Sequence, residues 1–238
     1  MIKYIFIFLF GTYLLFLLFR TCRYENDLKM FGFNFFKYTL KPLFKLWYPF
    51  KVVNKPKIKD DIPVIFCGNH IHLMDQCLVI LSNKRPIHYM AKIEYFQNKK
   101  TKWFFKLAGC IPVDRSKKDE NAKGAAIDVL INKEALGIFP EGTRNKTDKL
   151  LQEFKFGAVS MAKKTDALIV PFAITGEYKW RTKNLKIEYG TPFKVNTMNL
   201  EDANKKLYND VLKIIKKNRK DNLLCKDNLL CKLSILFL

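Results

Sequence analysis

His70 and Asp75 stand five positions apart in the run Gly68-Asn69-His70-Ile71-His72-Leu73-Met74-Asp75, and Phe139-Pro140-Glu141-Gly142-Thr143-Arg144 follows later in the chain. The first run offers a base and a carboxylate that can orient it. The second offers a glycine-opened turn carrying an anion-binding cation. Together they point to moving an acyl group onto a hydroxyl of a phosphate-bearing substrate.

Transfer from a thioester to a hydroxyl needs a base that takes the hydroxyl proton during attack, and histidine suits that task near neutral pH. A neighbouring carboxylate fixes its tautomer and stabilises the imidazolium. In one continuous helix, five residues would put His70 and Asp75 about 140° apart. Contact is easier with His70 on a strand-to-helix loop and Asp75 on the first helical turn, with Asn69 as a turn or capping residue. No serine or cysteine nucleophile is needed, because the substrate hydroxyl itself attacks. Arg144 and Arg115 are candidate phosphate clamps, since a guanidinium grips phosphate bidentately and stays charged. Gly142 gives backbone freedom and close approach, and Thr143 can donate to the phosphate. Glu141 is expected to orient Arg144 or to bond a substrate hydroxyl. For Arg115 alone, a surface ion pair with Asp114 or Asp119 is the competing reading. Lys155, in Phe154-Lys155-Phe156-Gly157-Ala158, reads equally as a phosphate contact or a plain helix start. His72 creates a His-x-His that raises a zinc site, but the fuller His-x-His-x-Asp-His pattern is absent. No metal is expected, and His72 reads as a pocket-edge residue.

Four ordered blocks carry a resemblance. They are Asn-His-x4-Asp at Asn69 to Asp75, Gly109-Cys110-Ile111-Pro112-Val113-Asp114-Arg115, Phe139 to Arg144, and Ile169-Val170-Pro171-Phe172. In order and spacing they resemble the glycerolipid acyltransferases, and within that superfamily the 1-acyl-sn-glycerol-3-phosphate acyltransferases. The resemblance implies that His70 and Asp75 are catalytic. It places Arg115, Glu141, Gly142, Thr143 and Arg144 at the acyl-acceptor site, and Pro171 at a strand end on the acyl-donor side. It implies acyl-CoA or acyl-carrier protein as co-substrate, lysophosphatidic acid as the sn-2 acceptor, phosphatidic acid as product, and no cofactor. Glycerol 3-phosphate or another lysophospholipid is the alternative acceptor. A reading of a different class, a non-catalytic basic module tethered to the membrane, explains the charge but leaves His70, Asp75 and Arg144 as coincidences.

The formal net charge of +21 over 238 residues attracts polyanions, among them an anionic membrane face or phosphorylated substrates. No RNA-binding signature, zinc-finger spacing or helix-turn-helix signal accompanies it, so nucleic acid is not an expected partner. The six cysteines include no C-x-x-C pair and read as a reduced set rather than a disulfide framework.

Tyr4 to Phe19 is uncharged and almost wholly apolar, between Lys3 and Arg20. As a helix it spans about 24 Å, slightly short of a hydrocarbon core about 30 Å thick. Residues 1–22 are therefore read as an uncleaved membrane anchor, because Arg20-Thr21-Cys22-Arg23 stands where a signal-peptide cleavage site would need small residues. Residues 23–58 interleave aromatics with lysines and read as an interfacial segment, in which Pro42 should break or kink any helix. The basic flank predicts that the remainder faces the cytoplasm at the cell membrane.

The elements that must position these residues follow from residue 59 to 219, the expected catalytic domain. Strands are predicted at 63–66, 87–90, 111–113, 136–139, 168–174 and 185–189. Helical runs lie between them, including Ala122, Ala125, Ala126, Val129 and Leu130 at helical spacing. The expected fold is α/β, a mostly parallel sheet flanked by helices, with an N-terminal membrane-associated helical segment. His70, Arg115 and Glu141 each follow a predicted strand, so they should converge at the carboxyl edge of the sheet. Residues 220–238 contain Lys-Asp-Asn-Leu-Leu-Cys twice in succession and read as a separate tail, either disordered or touching the membrane.

Overall fold

The computed structural model describes Tyr13 and residues 28–117, 119–182 and 184–236. Apart from Tyr13, the expected anchor lies outside the described residues. Chain order gives α1 (Leu28–Trp47), β1 (Phe50–Val53), β2 (Val64–Gly68), α2 (Asp75–Ser82), β3 (Ile87–Lys92), α3 (Glu94–Gln97), α4 (Lys99–Leu107) and β4 (Ile111–Val113). It continues with α5 (Glu120–Ile131), β5 (Ala135–Ile138), α6 (Gly157–Thr165), β6 (Leu168–Thr175), β7 (Leu185–Tyr189) and α7 (Leu200–Leu236).

The strands form one sheet in the order β1-β7-β6-β2-β5-β3-β4. β2 to β6 run parallel, β7 is antiparallel to β6, and β1 is parallel to β7. The mostly parallel α/β sheet is thus borne out, with a reversed pair closing one edge. β2 is buried at every position, as a strand covered on both faces must be. Its alternate side chains serve two cores. Ile65 and Cys67 join Leu136, Ile169 and residues of α5, α6 and α7 on one face. Val64 and Phe66 join Val170, Phe172, Ile174 and α2 residues Leu78 and Val79 on the other.

Two features depart from the sequence reading. Phe50–Val53 pairs with β7, so the sheet begins before residue 59. α1 also runs through Pro42. A proline removes the amide that would bond the carbonyl four residues earlier, here that of Tyr38. The Tyr13 hydroxyl donates to that carbonyl at 2.9 Å instead. The backbone of α7 continues helically through the duplicated segment to Leu236. No helix among the described residues is long and apolar enough to cross a membrane.

Candidate active site

Asn69 and His70 leave the end of β2 on a loop, and Asp75 opens α2, which is the local geometry that eases contact. The loop is clamped to the neighbouring strand. The Asn69 side chain donates to the Ile174 carbonyl at 2.9 Å and accepts the Ile174 amide at 2.7 Å. Close approach of β2 to β6 needs Gly68: a Cβ there would lie 2.4 Å from the Phe172 ring and from its carbonyl oxygen.

His70 is held on four sides. Its Nδ1 lies 2.8 Å from Asp75 Oδ2, and its ring stacks on Phe139 with centroids 4.2 Å apart. Its amide donates to Glu141 Oε1 at 2.7 Å, and its carbonyl accepts the Asn145 amide at 2.7 Å. The His70 side chain is 18% exposed and that of Asp75 0%. A carboxylate so buried must be compensated by donors. Oδ2 also accepts the Ile71 and His72 amides at 2.6 and 2.7 Å, and Oδ1 accepts the Tyr178 hydroxyl at 2.6 Å. With Nδ1–H directed at Asp75, Nε2 is left as the basic nitrogen.

The second motif leaves β5, the strand beside β2. Glu141 is 4% exposed, and its second oxygen accepts the Gln152 amide at 2.9 Å. Both carboxylate oxygens are therefore engaged by backbone amides, and among the described residues Glu141 makes no hydrogen bond or ion pair with Arg144. Burial pushes its carboxyl above the ordinary range, with the two amide donors pulling back. Gly142 adopts φ +76°, and the Lys155 side chain lies over it, with Nζ 2.9 Å from where a Cβ would be. Arg115, leaving β4, points Nη1 at the Gly142 carbonyl at 3.5 Å. Two cations thus flank one glycine beside the His70 loop. Asp114 and Asp119 are engaged elsewhere, Asp114 with Ser116 and Asp119 as the cap of α5. The rival ion pair for Arg115 is absent among the described residues. Thr143 and Arg144 are exposed on the same loop.

Pro171 sits apart from these groups. It is buried in the interior of β6, opposite Cys67, and its carbonyl accepts the Gly190 amide at 2.8 Å. The expected strand-end position is thereby corrected. Tyr178 was missed by sequence reasoning. It lies on the connection after β6, and nothing in its local sequence marks it.

The arrangement offers a half-buried, oriented imidazole beside the cations Arg115 and Lys155, all on loops leaving the same sheet edge. The family model described as Acyltransferase matches residues 49–175. The 1-acyl-sn-glycerol-3-phosphate acyltransferase of Bacillus subtilis is 33% identical over 165 residues, which cover 67% of this chain and 81% of that protein. The chloroplastic 1-acyl-sn-glycerol-3-phosphate acyltransferase LPAT1 of Arabidopsis thaliana is 28% identical over 146 residues, covering 57% of this chain and only 40% of the plant protein. Among solved structures, the 1-acyl-sn-glycerophosphate (LPA) acyltransferase PlsC from Thermotoga maritima shares the fold. Its TM-score is 0.68 at 21% identity, covering 87% of this chain and 89% of its own. The resemblance read from four short blocks is borne out, and the chain belongs to the acyltransferase family.

Proposed function

We propose that this protein transfers a fatty acyl group from a thioester, acyl-CoA or acyl-carrier protein, to the sn-2 hydroxyl of lysophosphatidic acid, giving phosphatidic acid. The carrying observation is the His70–Asp75 pair lying beside the loop where Arg115 and Lys155 flank Gly142. His70 Nε2 takes the proton as the hydroxyl oxygen attacks the thioester carbonyl carbon. Asp75 offsets the imidazolium charge. The tetrahedral intermediate then collapses, the carbon–sulfur bond breaks, and the imidazolium returns the proton to the departing thiolate. Arg115, Thr143 and Arg144 hold the acceptor phosphate, and Glu141 builds the loop that carries them. Pro171 acts on the donor side only through the backbone of β6.

The membrane supplies the acceptor. The C-terminal part of α1 exposes Leu43, Leu46 and Trp47 with Lys41 and Lys45 alongside, and Trp180 packs edge-on to Trp47 with centroids 4.7 Å apart. Aromatic rings beside lysines suit the headgroup boundary of an anionic bilayer. The domain then works at the cytoplasmic face of the cell membrane.

Purified protein should release thiol from acyl-CoA only when lysophosphatidic acid is present. His70→Ala should lower that rate by about 10³-fold or more while leaving the fold intact by circular dichroism. Full retained activity in a folded His70→Ala protein would overturn the mechanism. Glycerol 3-phosphate and other lysophospholipids at matched concentration test the acceptor.

A further inference from the structure

We propose that Tyr178 is a positioning residue for this reaction: its hydroxyl fixes the Asp75 carboxylate in the rotation that holds His70 Nδ1, and its ring ties that pair to α1. The inference rests on the transferase reading above. It concerns a residue three positions beyond the segment matched by the family model, which ends at 175.

Asp75 Oδ2 is crowded by three N–H donors, whereas Oδ1 has the Tyr178 hydroxyl as its partner among the described residues. A fully buried carboxylate with one oxygen unpaired pays heavily. Without the phenol, rotating the carboxylate to share Oδ1 with the loop amides is the available relief, and that rotation withdraws Oδ2 from His70. The phenol is a dependable donor. Burial, and then the charge of Asp75, raise its pKa far above the ordinary tyrosine value, so it keeps its proton.

The ring is gripped as firmly as the hydroxyl. One neighbour is His72, stacked with centroids 4.1 Å apart and planes 19° from parallel. Another is Tyr48, edge-on at 5.6 Å. Three residues later the Arg181 amide donates to the Trp47 carbonyl at 3.1 Å. Asp75 is thus tied through one side chain to the end of α1, the element that carries the exposed aromatics.

The discriminating readout is the pH dependence of turnover. The other titratable groups around the pair are Glu141 from the β5 loop, His72, Cys77 on α2 and Tyr89 on β3. Tyr178→Phe deletes the hydroxyl and keeps the stacked ring. With Oδ2 withdrawn, the imidazolium loses its nearest negative charge, so the acid limb of turnover moves to lower pH. Incorporating 3-fluorotyrosine at position 178 keeps the donor, so the carboxylate stays in place and the limb stays with it.

The experiment measures thiol release by the full chain in lysophosphatidic acid micelles across the pH range, for wild type, the Phe variant, the fluorotyrosine protein and His70→Ala. Expected for Tyr178→Phe are a kcat lower by about tenfold or more, KM for both substrates within about twofold, and an acid limb moved to lower pH. The fluorotyrosine protein should keep the wild-type kcat and the wild-type limb. A Phe variant with wild-type kcat and a superposable profile overturns the proposal. So does a loss of activity matched by a fall in thermal midpoint with the acid limb unmoved. If the Phe variant fails to fold, 4-fluorophenylalanine at position 178, which fills the same space without a donor, decides, and a wild-type kcat with an unmoved limb overturns the proposal. An active His70→Ala protein would instead sink the transferase mechanism, whatever Tyr178 does.

Discussion

Glu141 shows how a polar loop residue can be structural. Its carboxylate bridges the His70 and Gln152 amides, so Glu141→Gln puts an amide donor where one backbone N–H needs an acceptor. A loss of about 1–3 kcal/mol is expected, with lower kcat because the His70 backbone shifts. The pH dependence has a definite sign. The carboxyl is raised above its ordinary value of 4.5, so the folded state holds this proton more tightly than the unfolded chain. That contribution is full below pH 4.5 and lost as pH climbs through the raised value. Denaturation midpoints of wild type should therefore fall relative to Glu141→Gln as pH rises from 4.5 towards 7, and parallel midpoints would contradict this. His70 and Asp75 were legible because one local run contains both and five-residue spacing favours a loop-then-helix geometry. The partners of Glu141 were not legible, because they are backbone amides of two different loops, which residue types do not announce. Tyr178 is one tyrosine of ten, and it meets Asp75 across 103 residues of chain.

At the scale of elements, α1 and α2 are joined by a buried lysine. The Lys37 ammonium, 6% exposed, donates to the Asn83 carbonyl and to that of Lys84 at 2.9 Å, just past the end of α2. A cation suits a helix C-terminus. Burial first, then Lys41, Lys55 and Lys84, bring its pKa from 10.5 down to about 8. Lys37→Met leaves both carbonyls unpaired and should cost about 1–3 kcal/mol in chemical denaturation. The folded state releases this proton before the unfolded chain does. Wild type should therefore gain stability as pH rises from about 8 to 10.5, and the Met variant should lack that gain. Most strands and helices were legible because parallel strands buried on both faces read as unbroken apolar runs between helical ones. β1 was not. It is a four-residue edge strand with two exposed positions, and its partner β7 lies far along the chain, so only the assembled sheet defines it. The same holds for α1 at Pro42, where a tyrosine from another segment supplies the bond that proline removes.

For the whole molecule, charge and exposed rings belong to one association. The net charge of +21 and the Trp47–Trp180 pair, each 55% exposed, predict co-sedimentation with anionic vesicles that weakens as ionic strength rises. Replacing both tryptophans by alanine should lower the partition constant by about tenfold or more at fixed salt. Binding insensitive to both salt and these residues would place the contact elsewhere. The clamp between Asn69 and Ile174 has a further consequence, in time rather than in space. Its two halves are 105 residues apart, so the loop carrying His70 leaves the ribosome long before the strand that fixes it. Domains take shape as synthesis proceeds from the N-terminus, yet this centre cannot close until β6 and Tyr178 have both emerged. A half-made chain therefore holds His70 without the contacts that orient it.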